Sequence, residues 1–531
     1  MKKLSDLEYL KLGKPQRMWY NFLMFLCAIP RFFVNLGKGI CKAVVKFFLK
    51  IKDGACDIGY TFAKGNWAVK LSFVIFGMGN LYYGQILRGL LFLLFELIFI
   101  FYMFIPLSGA TNGLGTGTYW IQKGQWFQTG ATVGTEQGEM VMVEPIPGFG
   151  GVETWVPGDD SVRVMLYGLL SILFVIAFIW TWRLQVKQCR ICMDITAKGK
   201  KVKSGKDDLK SLVDDQFHKT LLALPTMGIL FFTVLPIIYM VLIAFTNYDF
   251  RNDGYANLFS WVGLENFNQL ADFSEGGMGA TFGEILSWTL IWAFFATFSN
   301  YFLGMFVALM INKKGIKIKK FWRTVLVMTI AIPQFVSLLY VSHLFDSSGI
   351  IGELLLDWNL IPQSMLDANQ QSLWQNPTTA KIMVIVINIW IGIPHIMLMA
   401  TGILMNIPQD LYESSKIDGA TGVQQFTKIT LPYMLFVTGP YLLTSFVSNL
   451  NNFNVIYLLS GGGPDKGLAG GATVGHTDLL ITWLYKMTVD TAEQKYYLGS
   501  IIGIMVFVVV ATLSLIIYNV IPSTKNEEDF Q

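Results

Sequence analysis

The sequence predicts an all-α protein that crosses a lipid bilayer about eight times, and three observations support this. Of 531 residues, 53% are apolar and 14% are charged, roughly half the charged fraction of an ordinary soluble chain. Mean hydropathy is +0.49, and 15 tryptophans with 41 phenylalanines would leave large apolar patches on any water-facing surface. Finally, eight stretches approach the roughly 20 apolar residues a spanning helix needs: 86–106, 163–183, 221–246, 285–311, 323–345, 381–404, 433–459 and 499–521. Disorder and a secreted disulfide scaffold are excluded on the same grounds. A net charge of +4 gives no reason to expect a nucleic-acid partner.

Residues 1–85 read as a cytoplasmic or interfacial region. They lack a signal-peptide cleavage pattern, so insertion without cleavage is expected. Lys38, Lys42, Lys46 and Lys50 recur every four residues among Val44, Val45, Phe47, Phe48, Leu49 and Ile51. That pattern suits a helix lying on anionic headgroups, or one packed on a soluble-side core. Residues 71–84 are apolar but short, and Gly77, Gly79 and Gly84 weaken a helix there. A re-entrant piece, an interfacial piece and an extra span all remain open for them.

Residues 86–220 hold two spans around a loop at 107–162, whose Gly, Thr and aromatic residues (Trp120, Trp126, Phe127, Trp155) suggest a small β-rich cap. Those rings are the cap's own core or a sugar contact. Lys187, Arg190, Lys198, Lys200, Lys201, Lys203, Lys206 and Lys210 crowd one connection, and Lys313, Lys314, Lys317, Lys319, Lys320 and Arg323 another. Basic connections mark the cytoplasmic side, so 107–162 and 247–284, with only Lys123 and Arg251, lie outside and both termini inside. A core of 221–521 and a cytoplasmic tail of 522–531 complete the chain.

No constellation for catalysis is apparent. His218, His343, His395 and His476 are scattered, and Cys189 and Cys192 form a single C-x-x-C without a second ligand pair, which reads as helix packing. The five cysteines fall in spans or on the reducing side, so no disulfide is expected. The run 198-KGKKVKSGK-206 is not a phosphate loop, because Asp207 follows Lys206 where Ser or Thr is required. Glu96 lies within the first span, and an intramembrane acid is either functional or hydrogen-bonded to a neighbouring element.

The most informative stretch is the cytoplasmic connection 406-NIPQDLYESSKIDGATGVQQFTKITLPYM-434. Pro408 suits a first helical turn, Leu411, Tyr412, Ser415 and Ile417 follow at helical spacing, and Asp418-Gly419-Ala420 is a turn where glycine permits a left-handed residue. A second short helix is expected to end near Ile429, with Pro432 opening the seventh span. Two short helices at a fixed angle, on the side where ATP is found, suggest a docking element.

The string E-S-S-x-x-D-G-A, then F and I-x-L-P (Glu413 to Pro432), resembles the EAA motif of binding-protein-dependent ABC importer permeases, with Ser414 and Ser415 where Ala-Ala is usual. The segments 376-NPTTAKIMVIVINIWIGIPHIMLM-399, 444-TSFVSNLNNFNVIYLLSGGGP-464, 475-GHTDLLITWLY-485 and 245-FTNY-248 are similar to MalF-type subunits of maltose and malto-oligosaccharide importers. This resemblance runs from about 220 to 520. It implies a type I importer permease core in a bacterial plasma membrane, paired with a MalG-like permease, a MalK-like ATPase dimer and an extracytoplasmic sugar-binding protein. ATP and its magnesium would belong to the ATPase, so this chain is not an enzyme and carries no cofactor. The resemblance assigns ATPase coupling to Glu413, Ser414, Ser415, Asp418, Gly419 and Ala420 in the loop 406–432.

A sugar path needs amides and hydroxyls on facing helices. Asn388, Gly392 and His395 recur at i, i+4 and i+7 on the sixth span, as Ser445, Asn449 and Asn452 do on the seventh. Their other reading is helix-to-helix adhesion. The resemblance adds Ile391, Ile330 and Gln334 to the sugar-contacting set. Ile330 and His395 stand where the enteric maltose permease has tyrosines, and Gln334 where it has serine, which weakens stacking on sugar. The rivals are an ion-coupled secondary sugar transporter, which would rely on Glu96 or another buried acid, and a membrane protein that docks an ATPase without moving solute.

Overall fold

The computed structural model describes residues 52–104, four short strands between 125 and 156, 160–202, 217–252, 258–346, 349–358 and 373–520, with single positions inside these ranges and scattered ones elsewhere excepted. Lys38 and Lys50 of the lysine-rich helix and the tail 522–531 lie outside the described residues. Among the described residues, seven helices are long and apolar enough to cross a membrane, and a bent pair makes an eighth. The protein is a multi-pass membrane protein. Its chain forms two compact units, Met1–Pro236 with Gly254–Leu258, and Ile237–Asp253 with Phe259–Gln531.

In the first unit, residues 71–84 do not form a span. Two five-residue helices, α1 (Trp67–Leu71) and α2 (Met78–Tyr82), flank a turn, and α3 (Ile86–Phe104) follows. The glycines have steric reasons. Gly77 sits at φ +80°, and a Cβ there would lie 2.1 Å from the Gly89 carbonyl oxygen of α3; a Cβ on Gly79 would meet the Cys189 sulfur at 2.6 Å. Exposed turn backbone is costly in an apolar setting, and buried side chains satisfy it here. Glu96, 7% exposed, accepts the Phe76 amide at 2.7 Å, while Gln185 accepts that of Gly77 at 3.1 Å and donates to the Ser72 carbonyl.

The cap residues form β1 (Gln125–Gln128) paired antiparallel with β4 (Glu153–Val156), and β2 (Thr132–Gly134) with β3 (Met140–Met142), Trp126 standing opposite Trp155 in the register. Trp120 and the aromatic side chains of the cap lie outside the described residues. Helix α4 (Ser161–Ala197) starts at Asp160, whose carboxylate accepts the amides of Val162 and Arg163. Its 37 residues rise about 55 Å, so it runs well beyond the expected 163–183 and carries Cys189 and Cys192 buried against Ser72, Asn80 and Gln85.

Helix α5 (Phe217–Ala244), with a π-helical turn at Leu230–Val234, leads into the second unit. There, α6 (Met278–Asn312) packs against α10 (Pro377–Leu404) and α12 (Gly422–Leu450). Asn376 caps α10 by accepting the amides of Thr378 and Thr379, and Pro377 opens it. The buried core gathers around Trp288, Trp292, Leu338 and Ile456 in one cluster and Tyr301, Met305, Met397 and Met434 in another.

Two expected spans are corrected. Residues 323–345 are not one straight helix: α7 (Lys319–Ala331) and α8 (Gln334–Leu344) meet at 92°, and the short α9 (Ile350–Asp357) follows them. Pro333 supplies no amide and forces Ile332 to an extended ψ of 127°. The seventh span begins at Gly422 and ends at Leu450 rather than running 433–459. The chain then turns at Asn451 and starts α13 (Phe453–Ser460), capped by Asn452, because asparagine side chains compete for backbone amides and so favour caps over helix interiors.

Beyond α13 come a hairpin of β5 (Asp465–Ala469) and β6 (Ala472–Gly475), α14 (Leu480–Tyr485) and the last span α15 (Tyr496–Val520). Buried Asp478 organises this segment, accepting the Gly475 amide at 2.7 Å, the Thr482 hydroxyl at 2.8 Å and Lys486 Nζ at 2.9 Å.

Candidate functional site

The loop between α10 and α12 is built from α11 (Gln409–Ile417), entered through Pro408. Ala420 donates its amide to Ser415 O at 2.9 Å and Gly419 to Lys416 O at 3.0 Å, a Schellman closure with Gly419 at φ +78°. Thr421 and Gln424 then form a reciprocal capping box. The turn is therefore closed by hydrogen bonds on both sides. It differs from the expected pair of separate short helices. The second helix is the first turn of α12, which runs through a π-helical turn at Phe426–Thr430 and past Pro432 without a break. Pro432 falls at the start of the α-helical part, where its missing amide is tolerated.

The six candidate loop residues divide by direction. Glu413, Ser414, Asp418 and Gly419 are exposed, Glu413 accepting a hydrogen bond from Gln409 at 2.6 Å. Ala420 is half-buried. Ser415 points inward, donating to Tyr412 O at 2.9 Å and accepting Gln425 Nε2 at 2.7 Å. Gln425 also donates to Tyr412 O at 3.1 Å, and the Tyr412 and Thr430 hydroxyls share a bond of 2.8 Å. These contacts fasten α11 to the base of α12. Sequence reasoning missed Gln425 and also the exposure of Ile417 (88%) and Val423 (72%), two apolar side chains flanking the turn. The signal available was their place on either side of a closed Asp-Gly turn.

The nine candidate sugar contacts do not form one continuous lining. Asn388, Gly392 and Asn449 face α6. A Cβ on Gly392 would lie 2.5 Å from Asn300 Nδ2, which donates to Asn388 O at 3.4 Å, and Asn449 Nδ2 donates to Thr297 at 3.0 Å. Among the described residues, Nδ2 of Asn388, which is 7% exposed, has no hydrogen-bond partner, and neither has Asn300 Oδ1. Ile391 packs at the edge of the core. A second group surrounds Tyr441, whose hydroxyl bonds Ser445 and whose ring centre lies 6.1 Å from that of His395. Asn452 is not on the seventh span. It caps α13 and donates to Asn449 Oδ1 at 3.2 Å. Ile330 and Gln334 are exposed on either side of the Pro333 bend. Tyr441 and Asn300 were missed, although Tyr441 shares the helical face of Ser445 and Asn449.

Residues 300–525 match the family model described as "Binding-protein-dependent transport system inner membrane component". The chain belongs to that family, as a MalF-type permease of a sugar ABC importer. It is 34% identical over 378 residues to the maltodextrin transport system permease protein MdxF of Bacillus subtilis (strain 168), covering 70% of this chain and 85% of that one. It is 30% identical over 447 residues to the maltodextrin transport system permease protein MalC of Streptococcus pneumoniae serotype 4, covering 84% and 93%. The galactooligosaccharides transport system permease protein GanP of Bacillus subtilis (strain 168) is 32% identical over 387 residues, covering 72% and 88%.

Proposed function

We propose that this chain forms half of the translocation path of an ATP-driven oligosaccharide importer, with malto-oligosaccharide as its cargo, and that α11 and the Gly419 turn couple it to a cytoplasmic ATPase. The observation that carries this reading is the doubly closed turn, fastened to α12 by Ser415, Gln425 and Tyr412 and presenting exposed Ile417 and Val423. Two helices held by side-chain bonds move as one body, so a displacement of α11 is delivered to the base of the helix that carries Ser445 and Asn449. Exposed apolar groups beside Glu413 and Asp418 suit a partner cleft with an apolar floor and basic or donor groups at its edge.

In this reading the partners are a MalG-like second permease, two MalK-like ATPase subunits holding ATP and magnesium, and an extracytoplasmic sugar-binding protein. The loop and both termini face the cytoplasm of a bacterial plasma membrane. Maltodextrin is favoured because two of the three relatives above carry that substrate in their names. Nucleotide and loaded receptor drive transport only to the extent that they bind the outward state better than the inward one. Asn388 Nδ2 and Asn300 Oδ1, without partners among the described residues, are a donor and an acceptor that sugar hydroxyls can meet once the helices separate.

The test is reconstitution of the complete assembly with its receptor in vesicles, comparing wild type with Gly419→Asp. The expected result is ATP hydrolysis without sugar uptake, the variant remaining membrane-inserted. Uptake at the wild-type rate in Gly419→Asp, or uptake without ATP in the wild type, would refute the coupling assignment.

A further inference from the structure

Immediately beyond Asn452 the chain builds a feature that the reading above does not use. Phe453 and Tyr457, one helical turn apart on α13, stack with ring centres 4.8 Å apart and planes at 20°. Tyr485, the last residue of α14, meets both edge-on, 4.8 Å from Phe453 and 5.2 Å from Tyr457. The Tyr457 hydroxyl donates to Asp490 Oδ2 at 3.1 Å. All three rings are half-buried and Asp490 is exposed, so part of each ring's surface and the carboxylate remain accessible. Burial and the Asp490 carboxylate push the Tyr457 phenol up to about 12, which keeps it a neutral hydrogen-bonding group.

The chemistry matches a carbohydrate rather than an ion or a peptide. A pyranose presents axial C–H groups on its faces and hydroxyls around its rim. Aromatic faces attract the former, and a carboxylate with spare acceptor positions takes the latter. The edge-on Tyr485 holds the stacked pair at a set angle, so little side-chain freedom is lost when a sugar settles. The position also follows the path. Asn452 bonds Asn449, the two rings begin one residue later, and α13 packs on α8, whose first residue is Gln334. From Asn452 to Tyr457 helical rise covers about 8 Å, enough for more than one sugar ring.

We infer that Phe453, Tyr457, Tyr485 and Asp490 form an additional carbohydrate-binding shelf, which takes further pyranose rings of an oligosaccharide whose leading end lies at Asn449 and Asn452. This rests on the reading that the chain conducts oligosaccharide. A short sugar engages the Asn449 level alone, whereas a long one spans both. The shelf therefore discriminates by chain length.

The experiment uses the complete assembly and one receptor in vesicles, measuring uptake of maltose and of maltoheptaose by wild type, Phe453→Leu, Tyr457→Leu and Asp490→Asn. Leucine keeps the apolar bulk and removes the aromatic face. The expected result is that KM for maltoheptaose rises about five-fold more than KM for maltose in each leucine variant, the size of a lost ring contact, with a smaller rise in Asp490→Asn. Equal changes for both sugars, or none, overturn the shelf. Loss of co-purification with the second permease in the leucine variants also overturns it, because the rings would then be a subunit contact. Failure of the wild type to take up either sugar strikes at the oligosaccharide reading itself and is thereby told apart from failure of the shelf.

Discussion

Gly419 and Glu96 carry the sharpest single-residue consequences. Among the described residues, and apart from the glycine and its two chain neighbours, no heavy atom lies within 4 Å of where a Cβ on Gly419 would stand, so substitution there meets backbone strain at φ +78° and whatever docks outside. A non-glycine residue in this region costs about 1 kcal/mol, and asparagine less. Gly419→Asn is therefore expected to keep more coupling than Gly419→Ala if strain dominates. Equal loss in both, measured as uptake per ATP hydrolysed, would place the effect at the partner surface. Glu96 accepts the Phe76 amide. Glu96→Gln retains an acceptor, and its uptake should stay near wild type, whereas Glu96→Leu leaves a buried amide unpaired and should cost about 1–3 kcal/mol, read as a lower melting temperature. Loss of uptake in a fully stable Glu96→Gln would revive ion coupling.

Among the elements, the joint between α11 and α12 rests on side chains as well as on the closed turn. Gln425 makes two bonds across it, so Gln425→Leu should loosen α11 while both helices still form, lowering uptake several-fold with ATPase activity retained. Unchanged uptake would mean that Tyr412 and Thr430 suffice. In the segment after α13, burial first, then Lys381 and Lys466, hold the His476 imidazole below its usual range. The unfolded chain then takes up the proton first. Stability contributed by this segment is full above about pH 6.5 and falls as pH drops below it. His476→Gln should flatten the acid side of a melting-temperature profile, and an identical profile in both proteins would show that the segment does not respond. The Pro333 bend was readable in principle, because proline and its predecessor are both barred from the helix interior, but a hydropathy window averages over such a break.

For the whole molecule, the family sets a permease subunit of a sugar ABC importer, and the length and kind of its cargo are what uptake experiments decide. Sugar-stimulated ATP turnover of the complete assembly is expected to follow malto-oligosaccharides over galacto-oligosaccharides; the reverse order would reassign the cargo to that of the GanP-like relatives. Composition and the spacing of apolar stretches were sufficient to determine a multi-pass helical protein, its approximate spans and the shaped loop, since each follows from transfer of local segments into lipid or from local turn chemistry. The glycines at 77 and 79, the inward turn of Ser415 and the division of the polar face into an Asn300 group and a Tyr441 group could not be read this way. Each depends on which distant backbone or side chain arrives opposite, and periodicity along one helix carries no information about its neighbour. Only the packed tertiary structure decided whether an intramembrane amide is paired with another helix or left without a partner among the described residues.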